Sequence, residues 1–430
     1  LTEHKASTEK ENMSQTSDWV TRPLGELIET IGGGTPKTDN DDYWEGSVRW
    51  LTPSEISDEK RLHVSDTERK ITQEGLSNSS AKVLPPGSVL MTSRATVGVP
   101  VINDVDMATN QGFIGIKPGD EINNEFLLHW IRHKKDLILS RASGSTYPEI
   151  SQTSFNNLEI DLPPLTEQRK IGRILSVLDE KYELNIDIMQ SLEETVQTIY
   201  DSWFVSYDIY DGFKESEEGQ IPNGFEIVEI GDICGTSGGG TPDTDVSEYW
   251  GGKHFWLTPK EVTSLDGSIA YNTERTLTEE GLDNTSAKLM PPESVLLTSR
   301  ATVGEVVVNK QPMATNQGFI CIMPDDTIPP YFLMQLIKDK RPEIESRASG
   351  STYDEISQTS FNGIRIALPP ESDRNRFEEI VAPMYEEIHS KQLENDSLRK
   401  IRKTLLPKLV SGELRIDNIN LERITETNEV

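Results

Sequence analysis

SRASGSTYPEISQTSFN runs from Ser140 to Asn156, and SRASGSTYDEISQTSFN runs from Ser346 to Asn362. The two differ at a single position, Pro148 against Asp354. Working outward, GGGTP at 32–36 returns at 238–242, and Tyr43-Trp44 returns as Tyr249-Trp250. WLTPSE from Trp50 becomes WLTPKE from Trp256. LPPGSVLMTSRATVG from Leu84 becomes MPPESVLLTSRATVG from Met290, and MATNQGFI recurs at Met107 and Met313. The offset stays at 206 throughout, as with Gly32 and Gly238. Copies this long are duplicated domains, because solenoid repeats run to roughly 20–50 residues.

Within a copy, VLPPGSVLMTSRATVGVPVI mixes Pro-Gly punctuation with β-branched runs and reads as short strands in a compact sheet. NEFLLHWIRHKKDLILSRA (124–142) has apolar residues at helical spacing and predicts one helix, with PYFLMQLIKDKRPEIESRA as its partner. Each copy is therefore expected to be an α+β domain. After LPP at Leu162 and Leu368 the texture changes. Ile171, Leu175, Leu178, Tyr182, Met189, Leu192, Val196, Ile199 and Trp203 follow at alternating steps of four and three, with Asn185 in the gap. The second copy gives Phe377, Val381, Met384, Ile388, Asn395, Leu398, Leu405 and Leu409, with polar Lys391 and Arg402 between. These are seams of two long helices, each about 35–40 residues and ~55 Å. The nearest partner for each seam is the other helix, as an antiparallel coiled coil with a domain at each end of the rod. Asn185 and Asn395 would fix its register.

The expected boundaries are a tail at 1–17, a first recognition domain at 18–163, a central helix at 164–206 and a linker at 207–223. A second domain follows at 224–369, then a C-terminal helix at 370–412 and a tail at 413–430. The 430 residues suit two domains of ordinary size. No apolar run is long enough to span a membrane, and LTEHKASTEKENMSQTS is no secretory signal. Two cysteines, Cys234 and Cys321, exclude a disulfide framework or a Cys-based zinc site and fit a reducing cytoplasm. The net charge of −30 argues against nucleic acid when taken alone, but local basic faces can sit inside an acidic total. A salt-adapted host is a second source of such acidity.

The GGGTP turn, Tyr-Trp, Trp-Leu-Thr-Pro, ATNQGF and the GST-Tyr loop together resemble a target-recognition domain. LPPLTEQRKIGRILSVLDEKYELN (162–185) resembles the central region of the specificity subunit of type I restriction-modification enzymes. IYDSWFVSYD (199–208) is similar to that family's helix exit, and TLLPKLVSGELRI (404–416) resembles its usual C-terminal ending. The resemblance covers nearly all of 18–418, twice and in order. It implies a non-catalytic subunit whose domains each read half of a split site in double-stranded DNA while the helices set the gap. It implies two modification subunits that use S-adenosylmethionine to methylate adenine, and restriction subunits that use ATP, with Mg also expected on the partners. None of these cofactors is expected on this chain. The resemblance places partner docking on the helix start, at Glu167, Gln168, Ile171, Leu175 and Leu178. Here the sequence departs from the family, since Asp373-Arg374 stands where the first copy has Glu167-Gln168. Two alternatives stay open: a methyltransferase-only or type II-like system, and a bipartite protein-binding scaffold, which the acidic charge favours.

No catalytic motif stands out. DLPPL at Asp161 and ALPPE at Ala367 lack the aromatic of an adenine methyltransferase and read as strand ends. GGGTPKT is no phosphate-cradling Walker loop, and its glycines suit a tight turn or a backbone nest. His129 and His133 have metal-ligand spacing, but Gln335 and Asp339 replace them in the second copy, so a helix face is the better reading and no metal is expected.

For DNA, phosphate contacts position a protein and base contacts specify sequence. Residues identical in both copies are therefore scaffold or phosphate contacts. Lys82/Lys288, Arg94/Arg300 and Arg141/Arg347 are candidate clamps; for Arg94 and Arg300, pairing with an internal carboxylate is the rival reading. Ser93/Ser299, Thr96/Thr302 and Ser145/Ser351 are candidate donors, with Thr146/Thr352 and Tyr147/Tyr353 in the same loop. Asn110-Gln111 and Asn316-Gln317 have the chemistry to read adenine, or to satisfy buried backbone. Discrimination should lie where the copies differ. Those stretches are 37–49 against 243–255 and 57–70 against 263–276, with Lys37, Arg49, Lys60, Arg61 and His63 in the first copy and Lys253 and His254 in the second.

Overall fold

The computed structural model describes residues 19–56, 61–144, 148–323, 327–350 and 354–416. They divide into two compact units, one taking the described residues up to Leu184 and from Asn395 onward, the other Asn185–Glu394. Each unit holds one copy of the repeat and a length of both long helices.

In unit 1 the strands are β1 (Val20–Pro23), β2 (Ile28–Gly32), β3 (Trp44–Leu51), β4 (His63–Val64) and β5 (Lys70–Ile71), before helix α1 (Gln73–Ser77). Then come β6 (Val89–Thr92), β7 (Pro100–Asn103), β8 (Ala108–Thr109) and β9 (Phe113–Pro118). Helices α2 (Asn124–His133), α3 (Lys135–Ser140) and α4 (Gln152–Asn156) precede β10 (Glu159–Leu162). The long helix α5 (Leu165–Tyr200) starts here and continues into unit 2.

The main sheet has the order β2-β9-β6-β7-β4, antiparallel except for β4 beside β7. All four residues of β6 are buried, because the sheet is covered on both faces. Val89 and Met91 face a core with Phe126, Leu127 and Trp130 of α2, while Leu90 faces a second core with Leu51, Leu84 and Met107. A smaller sheet, β5-β3-β8, carries the Trp44–Trp50 pair, and β1 pairs with β10.

Unit 2 repeats the plan. A hairpin, β11 (Phe213–Ser216) and β12 (Gly219–Pro222), comes first, where the sequence suggested a plain linker. Then follow β13 (Glu226–Glu229), α6 (Ile230–Ile233), β14 (Gly235–Gly238), β15 (Trp250–Leu257) and α7 (Pro259–Ser264). Next are β16 (Ile269–Ala270), β17 (Arg275–Leu277), α8 (Glu279–Asp283), β18 (Val295–Thr298), β19 (Val306–Asn309), β20 (Met313–Thr315) and β21 (Phe319–Met323). Helices α9 (Pro330–Asp339), α10 (Arg341–Arg347) and α11 (Gln358–Asn362), strand β22 (Arg365–Leu368) and the long α12 (Glu371–Val410) complete it. Its sheets run β14-β21-β18-β19-β16 and β17-β15-β20, the orders of unit 1.

The single helix expected over 124–142 is two, because the chain breaks at Lys134 (φ −95°, ψ 16°). Pro342 explains the matching break between α9 and α10, since proline is favoured in a helix's first turn and disfavoured inside. The first copy breaks at the same place without a proline, and nothing in the structure explains it.

The long helices have 36 and 40 residues, and they pair antiparallel within each unit. In unit 1, Arg415 bonds Glu167 near the start of α5, while Arg402 and Arg399 reach Asp179 and Tyr182 further along. In unit 2, Tyr210 beyond the end of α5 bonds Asp373 at the start of α12, while Asn185 earlier on α5 donates to Glu394. The seam faces more than the other helix. Ile171 and Leu175 belong to the core of the first sheet with Phe126 and Phe155, and Val196 and Tyr200 join the core of the second with Phe332 and Phe377.

Candidate nucleic-acid interface

The small sheet organises the candidate edge of each unit. In β3 a bulge sets both Trp44 and Val48 opposite Ile71, with Glu45 at φ 56°. This turns Trp44 against Trp50, edge to face, at 5.1 Å between ring centroids. The indole of Trp50 donates to the carbonyl of Gly34 (2.8 Å) and that of Trp44 to Lys37 (3.2 Å). The pair thus holds the GGGTP loop. Unit 2 repeats this with Trp250 and Trp256 at 5.0 Å and donation to Asp243 and Gly240.

The glycines of that loop answer close approach. A Cβ on Gly33 would lie 1.9 Å from the Asn110 carbonyl oxygen, and one on Gly34 would lie 2.3 Å from the Ala81 nitrogen. The loop therefore lies against the Asn110–Gly112 turn, and the Thr35 hydroxyl donates to Gln111. The Gly112 carbonyl in turn accepts from the Ser93 N–H (2.7 Å), which brings the SRATVG turn alongside. In that turn Ala95 has φ 60° and Ala301 has φ 66°, a left-handed backbone that alanine rarely adopts. Glu149 closes the group with its ion pair to Arg94 (2.8 Å), matched by Glu355 and Arg300 at 3.7 Å. Three loops distant in sequence thus form one polar edge, built the same way in both units.

The site residues proposed from sequence distribute unevenly over it. Lys37, Lys82, Arg94, Thr96, Gln111 and Arg141 are exposed, as are Lys288, Arg300, Thr302, Gln317 and Arg347. Arg94 and Arg300 carry the internal carboxylate partner that was the rival reading. Arg347 is engaged by Glu343 (2.5 Å) and by the carbonyls of Ser360 and Gly363. Ser93 and Ser299 are buried, so their hydroxyls are not offered to a phosphate. The bidentate adenine reading also meets an obstacle. Asn110 and Asn316 each accept from a glycine N–H two residues on (2.8 Å), and Gln111 and Gln317 accept from Thr35 and Thr241. The side-chain amides are left chiefly as donors. Ser145, Thr146, Tyr147, Ser351, Thr352, Tyr353 and Lys60 lie outside the described residues.

Where the copies differ, the same strand carries different charges. Arg49 and Lys70 share Asp66 in unit 1 (3.1 and 3.0 Å). Lys253 and His254 share Glu279 in unit 2 (2.7 and 3.0 Å). Arg61 is exposed, and its carbonyl accepts from Arg132. His63 pairs with Asp104 (2.8 Å).

The residues expected to dock a partner at the start of α5 are largely internal to the chain. Gln168, Ile171 and Leu175 are fully buried and Glu167 nearly so, with Leu178 half-buried. Glu167 accepts from Arg415 and from the Trp19 indole. Gln168 donates to the carbonyls of Glu121 and Pro163 and accepts from the Asn123 N–H. Apart from half-buried Leu178, these residues hold the domain to its helix and present little surface. Arg374, the departure from the family pattern, donates to Thr327 and Pro369, the positions equivalent to Glu121 and Pro163. His129 is likewise internal. It meets Ser176 at 3.1 Å, and burial, helped by Arg132 and Arg402, holds its pKa well below the usual value, so it stays neutral. Among the described residues no group of three acidic, His or Cys side chains is arranged to hold a metal, and no helix is long and apolar enough to cross a membrane.

The sequence reading passed over Arg69 and Arg275. Their guanidinium carbons stand 3.7 Å and 3.3 Å above the rings of Trp44 and Trp250. The signal was present, since TER recurs at 67–69 and 273–275.

Comparison with known proteins agrees with this duplicated plan. The family model described as "Type I restriction modification DNA specificity domain" matches residues 16–194 and again 222–396. The MjaIX specificity subunit of a type I restriction enzyme from Methanocaldococcus jannaschii is 28% identical, over 94% of this chain and 95% of its own. The HindI specificity subunit from Haemophilus influenzae is 25% identical, over 93% of this chain and all of its own. A crystal structure of a type I restriction-modification S subunit from M. genitalium shares the fold, with TM-score 0.62 at 16% identity over 94% of this chain and 97% of that one. With the model matched twice and most of the chain covered, this protein belongs to the type I restriction-modification DNA specificity family.

Proposed function

We propose that this specificity subunit reads a bipartite site in double-stranded DNA, one half with residues 18–163 and the other with 224–369, and directs partner subunits to methylate adenine there. The helices at 164–206 and 370–412 would set the spacing between half-sites. As a specificity subunit the chain is non-catalytic. S-adenosylmethionine, ATP and Mg belong to the modification and restriction subunits in this reading.

The observation that carries it is the repeated polar edge. Its backbone scaffold is the same in both units, while the ion pairs on β3 and β15 differ. A shared scaffold with local variation is what related but non-identical half-sites require, because phosphate contacts position and base contacts specify. With the start of α5 largely buried, this reading puts the partner surface elsewhere on the chain. Leu184, Ile380, Leu393 and Ile401 are large apolar residues of the long helices that remain exposed, and they support docking along the outer helix faces.

Long-read methylation mapping of the source genome, with and without the gene, tests the reading. A split motif carrying N6-methyladenine that vanishes on deletion is the expected result. A rival remains in the −30 charge, which suits a protein-binding scaffold. That reading predicts no gene-dependent motif and no salt-dependent DNA binding by the purified chain.

A further inference from the structure

We infer that Arg69 and Arg275 are a matched pair of DNA backbone clamps, each a guanidinium held on a tryptophan pair and offered to one phosphate in its half-site. This rests on the reading that the units bind DNA.

Both side chains are exposed, yet neither is free to wander. Arg69 lies 3.7 Å above Trp44 and within 5.6 Å of Trp50, and Arg275 lies 3.3 Å above Trp250 and within 5.8 Å of Trp256. The backbone beneath is fixed as well. The Arg69 carbonyl accepts from the Thr67 hydroxyl (2.7 Å) and the Trp50 N–H (3.2 Å), and the Arg275 carbonyl accepts from Thr273 (2.7 Å). A planar guanidinium stacked on one face keeps its N–H edge directed outward, and that edge matches two oxygens of a phosphate.

The second observation is what each lacks. The chain has 72 acidic residues against 42 basic ones, so an exposed arginine readily meets a carboxylate. Exposed Arg94, Lys253 and Arg300 do, as do half-buried Arg49, Lys70, Lys117 and Arg341, although exposed Arg61 and Arg141 show no such pair among the described residues. Among the described residues Arg69 and Arg275 have no carboxylate partner. One such arginine would be unremarked, but the same one, with the same stack, stands in both copies.

The place fits too. The tryptophans under each arginine hold the GGGTP loop through their indole N–H groups, so the clamp is tied to the polar edge of its unit. Identity across two units that carry different ion pairs assigns it a sequence-neutral task. It would grip the backbone and set the orientation from which the variable residues reach the bases.

The test measures binding of the full chain to target and non-target duplexes by anisotropy, across a salt series. The double variant R69Q/R275Q should weaken binding to both duplexes alike, roughly tenfold per arginine. The slope of log K against log salt should flatten by about 0.9 per arginine. R69K/R275K keeps the charge and should keep the slope. An unchanged slope in the glutamine variant, or a loss confined to one sequence, would overturn the clamp. So would a lysine variant that loses the slope as well, because the effect would then lie in packing. Wild-type chain with no salt-dependent binding would overturn the DNA reading and this inference with it, and is told apart by that control alone.

Discussion

At the start of α2 the Asn123 side chain accepts from the Phe126 N–H (2.9 Å), and Gly172 of α5 packs against it. A Cβ on Gly172 would sit 3.0 Å from the Asn123 oxygen. At the start of α9 the equivalents are Pro329 and Glu378. Proline has no capping side chain, and the Glu378 carboxylate of α12 instead accepts from the Tyr331 and Phe332 N–H groups (3.2 and 2.9 Å). The cap has moved from the domain to the long helix, into the space that glycine leaves in the other unit. A second exchange lies deeper. Unit 1 buries Asp179 between Arg132 (2.7 Å) and Arg402 (2.6 Å) beside His129, where unit 2 has neutral Tyr385 bonded to Gln335 (2.5 Å). Two interfaces of one ancestry have kept their shape and changed their chemistry in coupled sets. Residues facing each other across a domain–helix contact therefore have to be compared as groups.

The charged exchange is the one most easily broken. Asp179→Ala leaves two arginines facing each other in a buried site, at a cost of about 3–5 kcal/mol. Tyr385→Phe removes one neutral hydrogen bond and should cost about 1 kcal/mol. Hydrogen exchange on the peptides of α2 and α9 would show each loss in its own unit. Equal losses would mean that the chemistry of the two contacts differs less than their side chains suggest.

The relocated cap should carry a pH signature. Desolvation raises the Glu378 pKa from 4.5 to about 7, outweighing its two backbone hydrogen bonds. The folded state then binds this proton more tightly than the unfolded chain. The contribution to stability is full below the unfolded pKa near 4.5 and is lost as pH rises through 7. About 2–3 kcal/mol should disappear over that window, and Glu378→Gln should remove the dependence. Protection of α9 against exchange, followed from pH 4.5 to 8 in the wild-type chain and in Glu378→Gln, reads it.

The Gln168–Arg374 exchange sharpens the comparison in the other direction. Both donate to the carbonyls at equivalent positions of their units. Arg374→Gln should therefore be tolerated within about 1 kcal/mol, while Gln168→Leu strands the Asn123 N–H and two carbonyls at about 2–3 kcal/mol. Thermal unfolding of the two variants separates them.

Much of this architecture was legible in the sequence, because duplication exposes it. The constant offset gave two copies, and the four-three spacing gave the long helices. The polar break at Arg402 was visible, but its reason, Asp179, was not, since the pair lies far apart in the chain. The start of α5 misled for a related reason. Glu167 and Gln168 look like surface residues of a helix, and periodicity does not say that Arg415, Trp19 and Asn123 close over them. The candidate edge was half legible. Identity across copies marked Arg94, Gln111 and Lys82, whereas the burial of Ser93 and the stacking of Arg69 depend on a bulge and a strand register that residue identity does not reveal.

The smallest expected effect concerns a place where the two units agree. Ala95 and Ala301 both adopt left-handed backbone in the exposed turn after Arg94 and Arg300, although glycine would hold it with less strain. Ala95→Gly should therefore stabilise unit 1, by up to about 1 kcal/mol once the added freedom of the unfolded glycine is set against the relief. Strain kept at the same position in both copies is expected where a rigid turn matters to binding. The stabilised variant should then bind duplex DNA a few-fold more weakly, with its salt slope unchanged, because no charge has been lost. Stabilisation with undiminished binding would leave the turn a mere connection, and the agreement between the units would reduce to shared descent.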